Sequence, residues 1–224
     1  MTEFDYLHLQ RLVDDLAVAL GTIPGPVRDV LDVYCGARPY DDLLPAGARC
    51  VGMDIDDHYG TADVVTEEFL PFEDRSFDLV MSIEAFYYVP NPVHGAAELR
   101  RVLRPGGTAV ITTPLVWEYD RTILEHRFTG PELEALFEDW DDVRTVENGG
   151  RGVAWALMTG HMLRSFQLAM PWKVQRLTAM LFALAYLGIN AAGAAGEAVD
   201  RRLPRGNMTL PANLLLAARR PVEE

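Results

Sequence analysis

Five short apolar runs in the first two thirds of the chain constrain its fold more than any other feature. They are rich in residues that favour strands, are bounded by Gly, Pro or Asp, and cover residues 29–34, 50–55, 62–66, 77–82 and 107–113. Such runs are typical of strands buried on both faces of a parallel sheet. Helical spacing of apolar residues at 4–20 and 91–103 accompanies them. The sequence therefore predicts an α/β fold with a doubly wound sheet.

The rest of the chain extends this sheet. A capping box at Thr129 and Glu132 predicts a helix over residues 129–138, residues 142–147 read as a further strand, and residues 211–219 as a final strand that returns to the sheet. A length of 224 residues suits one domain. We expect a single domain, 1–224, with a cofactor-binding core at 1–150, a helical insertion or lid at 151–210, and the returning strand at 211–219.

The charge is large and unevenly distributed. The net charge of −13 disfavours a nucleic-acid partner, which calls for a basic face. Residues 1–150 hold 29 acidic and 11 basic side chains, whereas residues 151–224 hold 4 and 9. An acidic body therefore carries a basic and apolar tail.

The tail contains a run of 20 residues, 177–196, without a charge, which is the length of a membrane span. Seven of these residues are Ala and three are Gly, so membrane insertion is only weakly favoured. A buried helix pair, or one packed in a homodimer, is favoured over membrane contact. Within the membrane alternative, a helix lying in the interface near Trp172 is favoured over a true span.

Two observations favour a cytoplasmic protein. The first 16 residues are charged and helix-patterned, unlike a signal peptide. The two cysteines, Cys35 and Cys50, end one predicted strand and begin the next, which disfavours a disulfide between them.

Two strand ends carry the signals of a nucleotide-type pocket. The first predicted strand ends in Asp32-Val-Tyr-Cys-Gly36, and the second ends at Asp54. The sequence spacing from Tyr34 to Asp54 is that of a carboxylate that binds ribose hydroxyls in dinucleotide folds. Glycine lets the backbone approach a ligand closely at such a turn. A full G-x-G-x-x-G is absent, because Tyr34 holds the first glycine place, and this disfavours a dinucleotide.

The order of the motifs that follow is more specific. Residues 69–80 read FLPFEDRSFDLV, residues 89–92 read VPNP, and residues 98–107 read ELRRVLRPGG. Over about residues 4–114 this series resembles the class I S-adenosylmethionine-dependent methyltransferases, in the small-molecule, type 11-like branch. The resemblance implies a Rossmann-like sheet of about seven strands with the last strand antiparallel.

The resemblance also implies the cofactor site. Asp32 and Gly36 would border the methionine part of S-adenosyl-L-methionine, Asp54 would bind the ribose diol and Ile55 would pack on adenine. The residues implied to bind the cofactor are Asp32, Tyr34, Gly36, Asp54, Ile55, Glu67, Glu68, Phe69, Ser82 and Ile83. Tyr34 replaces a glycine usual in this family, and this departure leaves open a non-catalytic, cofactor-binding partner subunit.

The acceptor is less constrained. An oxygen acceptor needs a general base, and His126, in the segment after the fifth strand, is the candidate catalytic residue. Residues expected to bind the substrate are Tyr87, Trp117, Tyr119 and Arg127. The segment 117–129, the Cys35–Tyr40 loop and the helical tail loosely resemble sugar O-methyltransferases of polysaccharide biosynthesis. We therefore expect O-methylation of a small-molecule or oligosaccharide acceptor, and the alternative is a lipid, quinone or polyketide. Adjacent acidic pairs do not define a metal site, and Mg²⁺ is left open.

Overall fold

The computed structural model describes residues 1–203 and 209–222. Its helices are α1 (Tyr6–Gly21), α2 (Pro92–Val102), α3 (Gly130–Ala135), α4 (Arg151–Leu168) and α5 (Trp172–Asp200). Its strands are β1 (Asp29–Val33), β2 (Arg49–Asp54), β3 (Val64–Val65), β4 (Phe77–Ser82), β5 (Leu103–Pro114), β6 (Asp141–Asn148) and β7 (Asn213–Arg219).

The seven strands form one sheet in the order β3-β2-β1-β4-β5-β7-β6. The strands from β1 to β5 pair in parallel. β7 runs antiparallel to β5, because backbone hydrogen bonds join Gly106 and Gly107 to Arg220 at one end and Leu115 to Ala212 at the other. The predicted fold class, with a returning last strand, is confirmed.

The chain divides into two compact units. The sheet unit comprises Asp15–Pro114, Asp120–Val146 and Leu214–Glu224, and the helical unit comprises Met1–Asp14, Leu115–Tyr119 and Glu147–Asn213. The predicted division at residue 150 differs from these bounds, since the amino terminus and residues 115–119 join the helical unit. That association rests on contacts between residues far apart in sequence, which periodicity alone does not reveal.

Two charged side chains of the motif series, Asp78 and Arg101, hold loops of the sheet unit in place. Asp78 accepts hydrogen bonds from the backbone N–H groups of Arg28 and Asp29, at 2.9 and 3.0 Å, and pairs with Arg104. Arg101 donates to the carbonyl oxygens of Leu70 and Phe72, at 2.8 and 2.6 Å. These motif residues therefore brace loops at the sheet.

The Arg104-Pro-Gly-Gly turn at the end of the motif series lies within β5 in the structure. Phe77 pairs with Leu103 and Leu79 pairs with Thr108, so four residues, 104–107, stand opposite Asp78 alone. Gly107 is required here, because an added Cβ would lie 2.9 Å from the Arg104 carbonyl oxygen and 3.0 Å from that of Asp78. The turn is thus an irregularity that the strand absorbs.

The helical unit is built on close packing of α4 against α5. At Gly152 an added Cβ would lie 2.3 Å from the Glu197 backbone nitrogen and 2.4 Å from the Gly193 carbonyl oxygen. Asn190 is buried on α5, where its side chain accepts from the Leu7 backbone N–H at 3.2 Å and donates to the Glu3 carbonyl at 2.8 Å. Small residues and one amide therefore fix this unit.

Within a single chain α5 is only partly buried, so of the predicted forms of this helix pair, buried or packed in a homodimer, the first does not hold for much of α5. The helix is long and apolar enough to cross a membrane by length and composition, and only 22% of its most apolar window is buried. Its buried positions, Phe182, Tyr186, Asn190, Gly193, Glu197 and Asp200, recur every three or four residues. They form one face, and the apolar residues of the opposite face are exposed.

Candidate functional site

The candidate site lies at the carboxyl ends of β1, β2 and β4, in the sheet unit. β1 lies between the other two strands, so the residues that follow these strands share one edge of the sheet. Asp54 ends β2, and its carboxylate accepts hydrogen bonds from the backbone N–H groups of Gly36, at 2.9 Å, and Ile55, at 2.8 Å. Asp54 thereby ties the loop after β1 to the end of β2.

The loop after β1 is held in an unusual backbone conformation. Tyr34, Gly36 and Arg38 have φ angles of +57°, +51° and +52°. Tyr34 thus adopts the left-handed conformation that glycine takes freely, at a cost of about 1–2 kcal/mol for a residue with a Cβ. Tyr34 therefore has the backbone conformation that a glycine could adopt at this position, and its side chain makes that conformation strained.

The same loop packs tightly on β2. Arg38 pairs with Asp63 at 2.8 Å and with Asp41 at 3.0 Å, and donates to the Cys50 carbonyl oxygen at 3.3 Å. An added Cβ at Gly52 would lie 2.9 Å from the Cys35 sulfur. Because both sides of the loop are fixed, its backbone is set in place before any ligand binds.

Asp32 is the most perturbed carboxyl of the site. It is buried at the penultimate position of β1, and burial raises its pKa to about 7, with a further increase from the nearby Asp41 that Arg38 partly offsets. A carboxyl desolvated in this way favours a neighbouring positive charge. This is the environment that a cationic ligand group would stabilise.

The end of β4 contributes a buried hydroxyl and a strained turn. Ser82 is fully buried, and its Oγ has no hydrogen-bond partner among the described residues. Ile83 follows and is also buried, and Glu84 then has a φ of +55° with its backbone N–H donating to Thr112 Oγ1 at 2.8 Å. The sequence analysis does not identify Glu84, Arg38 and Thr112 as residues that shape this site. The position of Glu84, directly after the predicted site residue Ile83, was the available signal for it.

The edge beyond β2 presents apolar surface beside acidic residues. Ile55 is 58% exposed, as a side chain that packs on a flat ring requires. Phe69 is partly buried with its ring 6.3 Å from that of Tyr34, so the structure brings these two predicted residues together. Glu67 and Glu68 are exposed in the segment between β3 and Phe69.

His126 lies in the sheet unit beside the predicted substrate residues Tyr87 and Arg127. Its backbone N–H donates to the Tyr87 carbonyl oxygen at 2.9 Å, and its ring stacks on Phe128 at 5.7 Å. Its Nε2 is buried and has no hydrogen-bond partner within the described part of the chain. This nitrogen is therefore a buried polar atom whose hydrogen-bonding capacity the described residues leave unused.

Tyr87 and Arg127 are already engaged with the protein. The Arg127 guanidinium lies 5.1 Å from the Tyr87 ring centroid and pairs with Glu125 at 2.7 Å. Tyr87 is buried against Tyr88, with ring centroids 4.0 Å apart. Stacking of Tyr87 on a ligand, as predicted, would require these contacts to rearrange.

The other two predicted substrate residues, Trp117 and Tyr119, belong to the helical unit. Trp117 packs against His161, with ring centroids 4.5 Å apart, and against Phe4 at 6.3 Å. It lines an open groove of about 590 Å³ whose other residues are Leu115, Val116, Glu118, Met158, His161, Met162 and Ser165. Tyr119 is largely exposed.

A polar pair lies in this mostly apolar groove. His161 Nδ1 is 3.5 Å from Glu118 Oε2, and burial lowers the pKa of His161 although Glu118 acts in the opposite direction. Among the residues that the structure describes, no group of three or more His, Cys, Asp or Glu side chains is placed to hold a metal ion.

The predicted resemblance to the class I S-adenosylmethionine-dependent methyltransferases is confirmed. Residues 31–111 match the family model described as a methyltransferase domain.

Three known proteins illustrate the similarity. The chain is 31% identical over 151 residues to cycloartenol-C-24-methyltransferase 1 of Oryza sativa subsp. japonica, covering 59% of this chain and 43% of the relative. It is 32% identical over 138 residues to 2-methyl-6-phytyl-1,4-hydroquinone methyltransferase of Synechocystis sp., covering 54% and 42%. The chain thus spans less than half the length of these curated relatives.

The third is a solved structure, the Haemonchus contortus phosphoethanolamine N-methyltransferase 2 in complex with S-adenosyl-L-methionine. It shares 14% sequence identity with a TM-score of 0.53, over 93% of this chain and 52% of the other. This likeness shows the fold.

Proposed function

We propose that this chain transfers a methyl group from S-adenosyl-L-methionine to an apolar, ring-containing lipid. The observation that carries the cofactor part is the Asp54 carboxylate at the end of β2, beside a loop whose backbone is fixed on both sides. When bound, the cofactor supplies an electrophilic methyl group on a positively charged sulfur.

The residues present fit this cofactor. Asp54 would accept hydrogen bonds from two ribose hydroxyls, and the exposed Ile55 would cover the adenine ring. The buried Ser82 hydroxyl, which has no partner in the described residues, would meet a polar group of the ligand. The desolvated Asp32 carboxyl would be held ionised by a cationic ligand.

Two lines of support favour a lipid over the predicted saccharide acceptor. The relatives are named for a sterol and a prenylated hydroquinone, and both of these are largely apolar rings or chains. The helical unit also has a groove lined chiefly by Leu115, Val116, Trp117 and the methionines of α4. O-methylation of a saccharide remains a prediction from the sequence, and the polar pair His161 and Glu118 is the feature of the groove that would suit it.

His126 is the base that we propose for an oxygen acceptor such as a phenol. Its Nε2 is buried and unpartnered in the described structure, so it would accept the hydroxyl proton as the methyl group arrives. The loop backbone positions it, because the His126 N–H donates to the Tyr87 carbonyl.

Calorimetric titration with S-adenosylhomocysteine tests the cofactor proposal. We expect Asp54→Ala to weaken binding roughly 10- to 100-fold, because a hydrogen bond to a charged group contributes about 1.5–3 kcal/mol. The matched control is Asp56→Ala, an exposed acid two residues further on. Absence of binding to the folded wild-type chain would overturn the proposal in all its parts.

An acceptor assay with methyl-labelled S-adenosylmethionine tests the substrate. Prenylated hydroquinones and sterols are compared with oligosaccharides, and label should enter the lipid fraction. With a phenolic acceptor, His126→Gln should lower kcat about 100-fold, whereas the exposed His94→Gln on α2 should not change it. Label found only in oligosaccharides would replace the lipid with the sugar acceptor.

A further inference from the structure

An apolar stripe lies on the exposed side of the α4–α5 pair. Its members are large apolar side chains that are 50–84% exposed, spaced three or four residues apart on each helix: Trp155, Met158, Met162, Phe166, Leu177 and Leu181. We call these six residues the apolar face. Trp155 of α4 and Val199 of α5 line one open groove, so the exposed sides of the two helices adjoin.

The apolar face is not covered by any other part of the described chain. No residue from Met162 to Leu181 is buried, although this stretch covers the end of α4 and the beginning of α5. Soluble monomers rarely expose contiguous apolar patches of more than a few hundred Å². A face of this kind therefore indicates an occupant.

The exposed charges that α4 and α5 themselves carry around the apolar face are of one sign. Between residues 151 and 203 the only acidic residues are Glu197 and Asp200, and both are buried. Glu197 accepts from the Gly150 backbone N–H at 2.9 Å, and Asp200 pairs with Arg151 at 2.7 Å. The exposed charged side chains of this stretch are thus all basic, in a chain of net charge −13.

Two of the basic residues lie beside an exposed tryptophan at the start of α5. Lys173 Nζ is 5.7 Å from the Trp172 ring centroid and the Arg176 guanidinium is 5.9 Å from it. Tryptophan with adjacent Lys and Arg is typical of the boundary between lipid headgroups and acyl chains. This arrangement adds an interfacial anchor to the apolar face.

We propose that the apolar face docks onto a lipid bilayer that contains anionic phospholipids. A bilayer surface offers hydrocarbon to the apolar side chains and negative headgroups to Lys173 and Arg176. A symmetric dimer through the same face would bring Lys173 and Arg176 of both copies together, and neither α4 nor α5 has an exposed acid to pair with them. Charge complementarity therefore selects the bilayer over a second copy.

The helix lies along the bilayer surface and does not cross it. The opposite face of α5 is occupied by the protein itself, where Asn190 bonds the amino-terminal segment and Glu197 bonds Gly150. Crossing would expose an amide and two carboxyl groups to hydrocarbon, at high cost. The docking shares Met158 and Met162 with the groove that supports the proposed acceptor, and vesicle binding measures it separately from methyl transfer.

Flotation of the full-length chain with vesicles tests the proposal. The chain should float with phosphatidylcholine vesicles that contain phosphatidylglycerol, and much less with phosphatidylcholine alone. Leu177→Gln/Leu181→Gln should reduce partitioning at least roughly tenfold, because two exposed leucines no longer enter the acyl region. The control Val18→Gln/Val93→Gln changes two equally exposed apolar residues of α1 and α2 and should float as wild type.

The electrostatic part has its own variant. Lys173→Gln/Arg176→Gln should weaken binding to the anionic vesicles by roughly fivefold for each charge removed, and added salt should have the same direction of effect. S-adenosylhomocysteine binding, measured in parallel, shows that each variant is folded and separates this test from that of the methyltransferase activity.

Three results would overturn the proposal. The first is a folded wild-type chain that does not float with anionic vesicles. The second is a Leu177→Gln/Leu181→Gln variant that floats as well as wild type. The third is a wild-type dimer in light scattering that this variant converts to a monomer, with no vesicle binding in either form, since the apolar face would then be a contact between two copies.

Discussion

The sheet edge at the carboxyl ends of β1, β2 and β4, called here the cofactor edge, and the α4–α5 pair of the helical unit differ in how they are built. The cofactor edge gathers carboxylates, a buried hydroxyl and three alternate left-handed loop positions, and hydrogen bonds and ion pairs hold its loop in place. The α4–α5 pair has few such bonds and depends on close helix contact at Gly152, while its outer side is apolar and basic. The first region is built for a small polar ligand, and the second for a broad apolar surface.

Residues that serve function and residues that serve stability lie apart in different ways in the two regions. At the cofactor edge, strain and desolvation cost stability, and a ligand can recover that cost. In the α4–α5 pair, the packed face stabilises the unit and the outer face contributes no packing. Substitutions should therefore act in opposite ways in the two regions.

The largest effect is expected at Gly152. Gly152→Ala places a Cβ against backbone atoms of Glu197 and Gly193, which cannot move without separating the helices, so we expect a loss of about 4 kcal/mol or more in the free energy of unfolding. The matched control is Gly188→Ala in α5, the partner helix, where an added Cβ meets nothing within 4 Å. This control should gain up to about 1 kcal/mol from helix propensity. Urea denaturation measures both, and equal stabilities would contradict close packing at Gly152.

Much of the sheet and of the cofactor edge is predictable from the sequence, because local signals specify it. Apolar runs with Asp or Gly at their ends locate β1, β2 and β4, and a returning strand was expected where β7 lies. The motif residues Asp78 and Arg101 are visible in the sequence, but their role is to brace loops. A motif series thus identifies a fold through its structural contacts as much as through its site.

The remainder depends on contacts between distant residues. Nothing local shows that Asn190 bonds the amino-terminal segment, or that Trp117 packs on His161 in the helical unit. The uncharged run at 177–196 predicts a helix that is buried or packed in a homodimer, because composition does not distinguish a core helix from one with a single packed face. The spacing of Phe182, Tyr186 and Asn190 was the available signal for that single face.

At the cofactor edge, Asp32 should make stability fall as the pH rises. Unfolded, this carboxyl ionises above its ordinary pKa of 3.8, whereas the folded chain holds the proton up to about 7. The unfolded state therefore binds fewer protons between these values, and the free energy of unfolding decreases across that window. Asp32→Asn cannot ionise and should lack about 3 kcal/mol of this decrease between pH 4.5 and pH 8.

Urea denaturation at both pH values checks the Asp32 prediction. Asp56→Asn, an exposed acid of the next loop, serves as the control and should keep the pH dependence of the wild type. Parallel pH profiles for Asp32→Asn and the wild type would show that Asp32 is not desolvated in the folded chain.

The smallest effect is expected from the backbone strain at Tyr34. No described residue of α4 or α5 has such a left-handed conformation. Asparagine tolerates the left-handed conformation and a β-branched residue does not, while both lack the ring that lies near Phe69. Tyr34→Asn should therefore be more stable than Tyr34→Val by about 1 kcal/mol. It should also bind S-adenosylhomocysteine more tightly, because the loop that donates the Gly36 N–H to Asp54 keeps its path. Denaturation and calorimetry on the two variants measure the difference, and identical values would mean that the left-handed conformation at this position stores no strain.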